Sequence, residues 1–189
     1  MANVKRQLGI VARWQSRYER ADALLRESVT QARKITPNRG FSLARSLSNL
    51  ARVAYFQGDY QRARKLLYET LGVIGESRLA GWPLADCLDW LAALEGAEAD
   101  PVRAACLIGA AEAQWRASGA VRYSADQPAY ECDVAGVRAQ LDQHAFASAL
   151  ADGQLMNAQQ VIAYALKKAA PVRVEPHAHE HNERAVHSA

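Results

Sequence analysis

The chain has 189 residues, with 23 lysines and arginines against 20 aspartates and glutamates and a formal charge of +3. That length allows one domain or two small ones around a real core, and an alanine-, leucine- and arginine-rich mixture with few aromatics favours an all-α fold. A mild basic excess interspersed with acids argues against a nucleic-acid surface. No run of about 20 apolar residues could cross a membrane, and no apolar stretch follows Lys5-Arg6 as a signal peptide would require.

Helical periodicity predicts a first helix over 1–15 and a second over 17–35, ended by the break Thr36-Pro37-Asn38-Arg39-Gly40. A second pair follows over 42–57 and 60–76. Leu50, Val53 and Ala54 repeat at helical spacing, Gly58-Asp59 interrupt, and Tyr60, Ala63, Leu66 and Leu67 resume the period. Gly58 suits the end of one helix and Asp59 the cap of the next. The two pairs share a register: Leu8, Gly9, Ala12, Ser16, Tyr18, Ala21, Leu25 and Ser28 stand 42 residues before Leu50, Ala51, Ala54, Gly58, Tyr60, Ala63, Leu67 and Thr70. Gly81-Trp82-Pro83 opens a third pair, and Asp100-Pro101 starts its second helix as cap and first-turn proline. Leu91-Ala92 begin the third copy of the register, displaced by 41, with Ala104, Ile108 and Ala111 following. A leucine, a small residue, a Gly-Asp-Tyr turn, an alanine and a large apolar residue resemble the tetratricopeptide repeat, here with a period longer than its usual ~34 residues.

After Gly119 the register stops. Residues 124–128 read as a loop, followed by a helix carrying Tyr130, Val134, Val137 and Leu141. A short helix around Phe146 and Leu150 ends near Asp152-Gly153, and Asn157 caps a last one through Val161, Ile162, Ala165 and Leu166. The expected organisation is therefore a tetratricopeptide-like right-handed superhelix of three hairpins over 1–119 (1–36, 41–77 and 82–119). Capping helices over 120–169 and a disordered His-rich tail over 170–189 complete it. The first repeat starts almost at residue 1. Its apolar face is expected to be bare unless a preceding repeat, a partner or a second copy of the chain covers it, so a homodimer is one expected assembly.

A second resemblance rests on Ala104-Ala-Cys-Leu-Ile-Gly-Ala-Ala-Glu-Ala113, Leu141-Asp-Gln-His-Ala-Phe146, Ala151-Asp-Gly153 and Asn157-Ala-Gln-Gln-Val-Ile-Ala-Tyr-Ala-Leu166. These segments resemble the C-terminal end of the repeat region in large bacterial transcriptional regulators, which combine an ATPase domain, a tetratricopeptide-like array and often a LuxR-type helix-turn-helix. It covers roughly 40–168, most specifically 101–166. Asp142 stands where that family usually has glycine, and Asn157 where it often has serine or threonine. The chain has no GxxxxGK[ST] phosphate loop and no helix-turn-helix pattern after Leu166, so the resemblance implies the repeat module alone, acting as a regulatory or sensor unit.

No constellation of catalytic groups emerges. Asp86 and Asp89, one turn apart, with Glu95, Glu98 and Asp100 after them, read as a solvated acidic face. Ser124-Ala125-Asp126 and His144 belong to no nucleophile motif. Cys87, Cys106 and Cys132 are odd in number and lack CxxC spacing, as befits free thiols in a reducing cytoplasm. His177-x-His179-x-His181 is the one metal-like run, and in a polar tail it reads as adventitious; no cofactor or metal is expected.

The expectation is thus a non-catalytic scaffold. The first helix of each hairpin would line a concave groove for a protein or peptide segment with Arg6, Ile10, Arg13 and Trp14, then Arg45, Asn49, Arg52, Tyr55 and Phe56, then Asp86, Asp89 and Trp90. Arginines among aromatics suit an acidic or extended peptide. Some tetratricopeptide proteins hold a peptide carboxylate in a Lys/Asn clamp; Asn49 matches one such position, while Ile10 and Asp86 stand where Asn and Lys would be. The alternative is a small-molecule effector sensor with a pocket built from Trp82, Trp90, Trp115 and Tyr123.

Overall fold

The computed structural model describes residues 2–34 and 39–167. Among them are nine α-helices and no strand: α1 (Ala2–Trp14), α2 (Tyr18–Ala32), α3 (Arg39–Phe56), α4 (Tyr60–Glu76), α5 (Trp82–Ala97), α6 (Pro101–Ser118), α7 (Gln127–Ala139), α8 (Gln143–Gln154) and α9 (Ala158–Leu166). The chain is an all-α, tetratricopeptide-like helical repeat. The tail over 170–189, with its histidine run, lies outside the described residues.

Three antiparallel hairpins, α1/α2, α3/α4 and α5/α6, stack in order, and their turns are built alike. Ser16, Gly58 and Ala99 each adopt the left-handed conformation, at φ 57°, 76° and 63°. The next residue then donates its amide five residues back, Arg17 to Ala12, Asp59 to Ala54 and Asp100 to Glu95, each at 2.9 Å. This satisfies carbonyls that a helix end leaves open and turns the chain toward the next helix. Asp59 and Asp100 cap the following helices through the amides of Arg62 and Arg103.

Apolar positions of the register meet across the hairpins. Leu25, Leu47, Val53 and Ala21 form one core between the first two, and Leu67, Leu71, Leu84, Leu88, Leu91 and Leu107 a second that runs into the third. The first helices of successive hairpins also touch, α1 against α3 and α3 against α5, forming one continuous inner face.

Leu8 departs from its register mates. It is 50% exposed, whereas Leu50 is 5% exposed against the first hairpin. Val4 and Val11 lie beside it on α1, at 62% and 44%, while the residues 42 positions later, Ser46 and Val53, are fully buried. What buries this face in the second repeat is α2, and among the described residues nothing stands in that place before α1.

The C-terminal helices pack across the third hairpin. Helix α8 lies against α6 at backbone contact: a Cβ on Gly109 would fall 2.0 Å from the Leu150 carbonyl oxygen, and one on Gly153 would fall 1.9 Å from that of Cys106. Asp142 and Asn157, the two departures from the regulator pattern, both serve as caps, Asp142 on the amide of Ala145 and Asn157 in a reciprocal capping box with Gln160. Arg103 fixes the end of α9 by donating to the Ala165 carbonyl at 2.7 Å.

Candidate functional site

Residues 120–126, expected to begin the cap, instead run back across the inner face. The segment ends in one 3-10 turn, Ser124–Asp126, before α7 opens with Gln127-Pro128. It acts as a strap joining all three hairpins. On α5, Asp89 accepts two hydrogen bonds from the Arg122 guanidinium, at 2.7 and 2.9 Å, and one from the Trp115 indole at 2.8 Å. On α3, Arg45 reaches the Tyr123 hydroxyl at 3.2 Å. At the far end Asp126 accepts from Arg13 at 2.7 Å and Trp14 at 2.9 Å on α1, and from Arg52 at 2.9 Å on α3. Arg52 also pairs with Asp86, which accepts from Ser48 at 2.8 Å.

These contacts correct two expectations. Asp86, Asp89 and Glu95 are not a solvated face. Asp86 and Asp89 lie beneath the strap, and buried Glu95 is held by Arg64 and Arg103 on the other side of α5, with Glu98 on the same Arg64. The inner face is also not open along its length. Arg6, Ile10, Arg13, Asn49, Arg52 and Trp90 are buried, Tyr55 and Phe56 partly so, and Trp14 is the exposed one at the rim. Asn49 turns its amide back to the Arg45 carbonyl, donating at 2.8 Å. The aromatics close on one another, with Tyr55 and Phe56 both edge-on to Trp90 at 5.6 and 5.5 Å, and the Arg52 guanidinium 4.9 Å above the Trp90 ring.

Burial alone would raise the Asp126 carboxyl, but the Arg52 and Arg13 guanidiniums and the Trp14 hydrogen bond outweigh it and hold it below the usual carboxylate range. Asp89 goes the other way: its burial outweighs Arg122 and Trp115 and pushes it up. Arg52, buried and close to Arg13, is pushed down to about 10. Removing one partner from such a set leaves a buried charge unmatched, at a cost of about 3–5 kcal/mol.

Beside the strap, a small, partly open cleft is lined by Arg52, Asp86, Asp89, Trp90, Arg122, Tyr123, Asp126, Tyr130 and Asp133. Of the four aromatics expected to form an apolar pocket, Trp90 and Tyr123 line it. Trp82 instead lies under the Arg45 guanidinium at 4.6 Å and edge-on to Phe41 at 5.4 Å, and Trp115 donates its indole N–H to Asp89. Charged residues dominate its lining: α3, α5 and α7 supply Arg52, Asp86, Asp89 and Asp133, and the strap adds Arg122 and Asp126. Arg122 did not stand out in the sequence, and Asp126 was weighed only as part of a nucleophile motif, since the strap has no period and pairs with helices 33 to 113 positions away. Among the described residues no group of three or more His, Cys, Asp and Glu is placed to hold a metal ion, and no helix is long and apolar enough to cross a membrane.

A family model for the tetratricopeptide repeat matches residues 1–73, the first hairpin and most of the second. Residues 1–73 form a tetratricopeptide-like region. Repeats of this kind generally act as scaffolds for protein–protein contact, and no catalytic family is indicated. No curated protein and no solved structure matches the chain.

Proposed function

We propose that the chain is a non-catalytic interaction scaffold, the regulatory or sensor repeat module of a bacterial transcriptional regulator, working in the cytoplasm. The resemblance of 101–166 to the end of such regulators' repeat arrays supports the setting. Partner recognition on the inner face uses Arg6, Arg13, Trp14, Arg45, Asn49, Arg52, Tyr55, Phe56, Asp86, Asp89 and Trp90, some as direct contacts and the buried ones as the frame that positions them.

The observation that carries the scaffold reading is the contrast between Leu8, half exposed, and Leu50, covered at the same register position. Val4, Leu8 and Val11 form an apolar stripe on α1 of the shape that α2 covers one repeat later, so a helix of similar face belongs there, and a second copy of the chain is the first candidate. Light scattering over a range of concentrations on the wild-type chain and on Leu8→Glu tests this. A dimer that the substitution dissociates supports it; a wild-type monomer at every concentration overturns self-association.

The cleft beside Trp90 and Tyr123 favours a second reading, a sensor for a small polar effector. Thermal stabilisation by small metabolites and not by peptides would decide for it.

A further inference from the structure

On α1 and α3 the charges under the strap are all positive, since neither helix contains an aspartate or glutamate. Helices α1 and α3 bring Arg6, Arg13, Arg45 and Arg52 to the inner face. Arg13 and Arg52 have Asp126, and Arg52 has Asp86 as well. Arg6 and Arg45 have no carboxylate partner among the described residues. The neutral Tyr123 hydroxyl faces both guanidiniums, accepting from Arg45 at 3.2 Å and lying against Arg6; buried Arg6 also bonds Asn3 through Nη2, and its Nη1 is left unsatisfied. Burial and the nearby Arg45 together push Arg6 down to about 10, so the two cations are close enough to repel. A guanidinium keeps its charge at neutral pH, and two neighbouring ones are satisfied best by an anion.

The strap itself has little apolar anchorage. Val121 is 88% exposed and none of residues 120–125 is buried, so ion pairs and the Tyr123 ring hold it down. We propose that the strap is a resident occupant of the inner face, displaced by an acidic segment of a partner protein that brings at least two carboxylates. One replaces Asp126 on Arg13 and Arg52; the other supplies Arg6 and Arg45 with the anion the strap does not offer. This rests on the reading of the inner face as the partner site and names the partner's chemistry. The tethered strap competes at high effective concentration, so weakly acidic segments are excluded and a doubly matched one succeeds.

The test is fluorescence anisotropy of fluorescein-labelled hexaglutamate and hexaglutamine with the full chain at low salt. Tyr123→Ala uncovers Arg6 and Arg45 without altering any charge, and Asp126→Asn removes the resident carboxylate. Each is expected to bind hexaglutamate at least tenfold more tightly than wild type, and adding Arg45→Gln to Tyr123→Ala should abolish the gain. Arg33→Gln, at an exposed pair with Glu69, should leave it unchanged. If circular dichroism shows Asp126→Asn unfolded, Tyr123→Ala alone decides, because its ring is a surface contact. The proposal is overturned if neither variant binds more tightly, or if Arg33→Gln weakens binding as much as Arg45→Gln. Hexaglutamine binding equally well, and sensitive to Arg45→Gln, would also overturn it but leave the inner face as a partner site; no binding of either peptide to any variant would remove both.

Discussion

Arg17 has the backbone conformation of Asp59, φ −88° and ψ 67° against −83° and 69°, but not its cap. Both residues precede the second helix of a hairpin, and Asp59 accepts from the Arg62 amide while the Arg17 side chain caps nothing. Arg17→Asp should therefore supply a missing cap and favour the helix dipole, raising stability by about 1 kcal/mol. Urea unfolding checks it. An unchanged or lowered midpoint would mean that the first turn differs from the second in more than its side chain.

Ala99 occupies the left-handed turn position that Gly58 fills in the second repeat. A Cβ there is strained, so Ala99→Gly should gain about 0.5–1 kcal/mol after the extra chain entropy of glycine is offset. The reverse substitution, Gly58→Ala, meets no neighbour within 4 Å and should lose a similar amount through backbone strain alone. Comparison of the two unfolding midpoints tests both signs at once.

Gly109 and Gly153 let α6 and α8 touch backbone to backbone. Gly109→Ala forces a methyl onto the Leu150 carbonyl, which cannot rotate aside, and should cost about 2–3 kcal/mol and loosen α8. Gly72→Ala, in the middle of α4 with open space around it, should instead gain up to about 1 kcal/mol. Denaturation together with limited proteolysis distinguishes a loosened α8 from a general loss of stability.

Asp133 is pushed up to about 6, by burial first and by the nearby Asp89, against the hydrogen bond from Tyr55. Its protonated form fits the fold, so the stability tied to it is fully present below the ordinary carboxylate value of 3.8 and is lost as pH rises from there through about 6. Asp133→Asn should raise the melting temperature by a few degrees at about pH 7.5 and hardly at all at about pH 3.5. Thermal unfolding at the two pH values checks this; an equal gain at both would show that ionisation of Asp133 carries no cost.

The hairpins were legible because their causes are local. A leucine at every helical turn, Gly58-Asp59 and Asp100-Pro101 at the breaks, and Asn157 before the last helix act through contacts within four or five residues, so periodicity and cap chemistry placed those elements. Helix α3 already begins at Arg39, inside the expected break over 36–40. The candidate site was legible only by residue type. Arginines and aromatics on the first helices pointed to the inner face, but which would be covered depended on where a non-periodic segment goes.

The repeat register, the turn positions and the all-α architecture follow from local pattern and cap chemistry. Three further properties came only with the folded chain: the bare face at Leu8, the engagement of Asp86 and Asp89, and the strap that brings Asp126 to Arg13 across 113 residues. Leu8 and Leu50 have the same local pattern and differ only in having a neighbour, and an ion pair between distant residues imposes no spacing on the chain between them. Burial and long-range charge pairing are properties of packing, and a one-dimensional pattern does not encode who packs against whom.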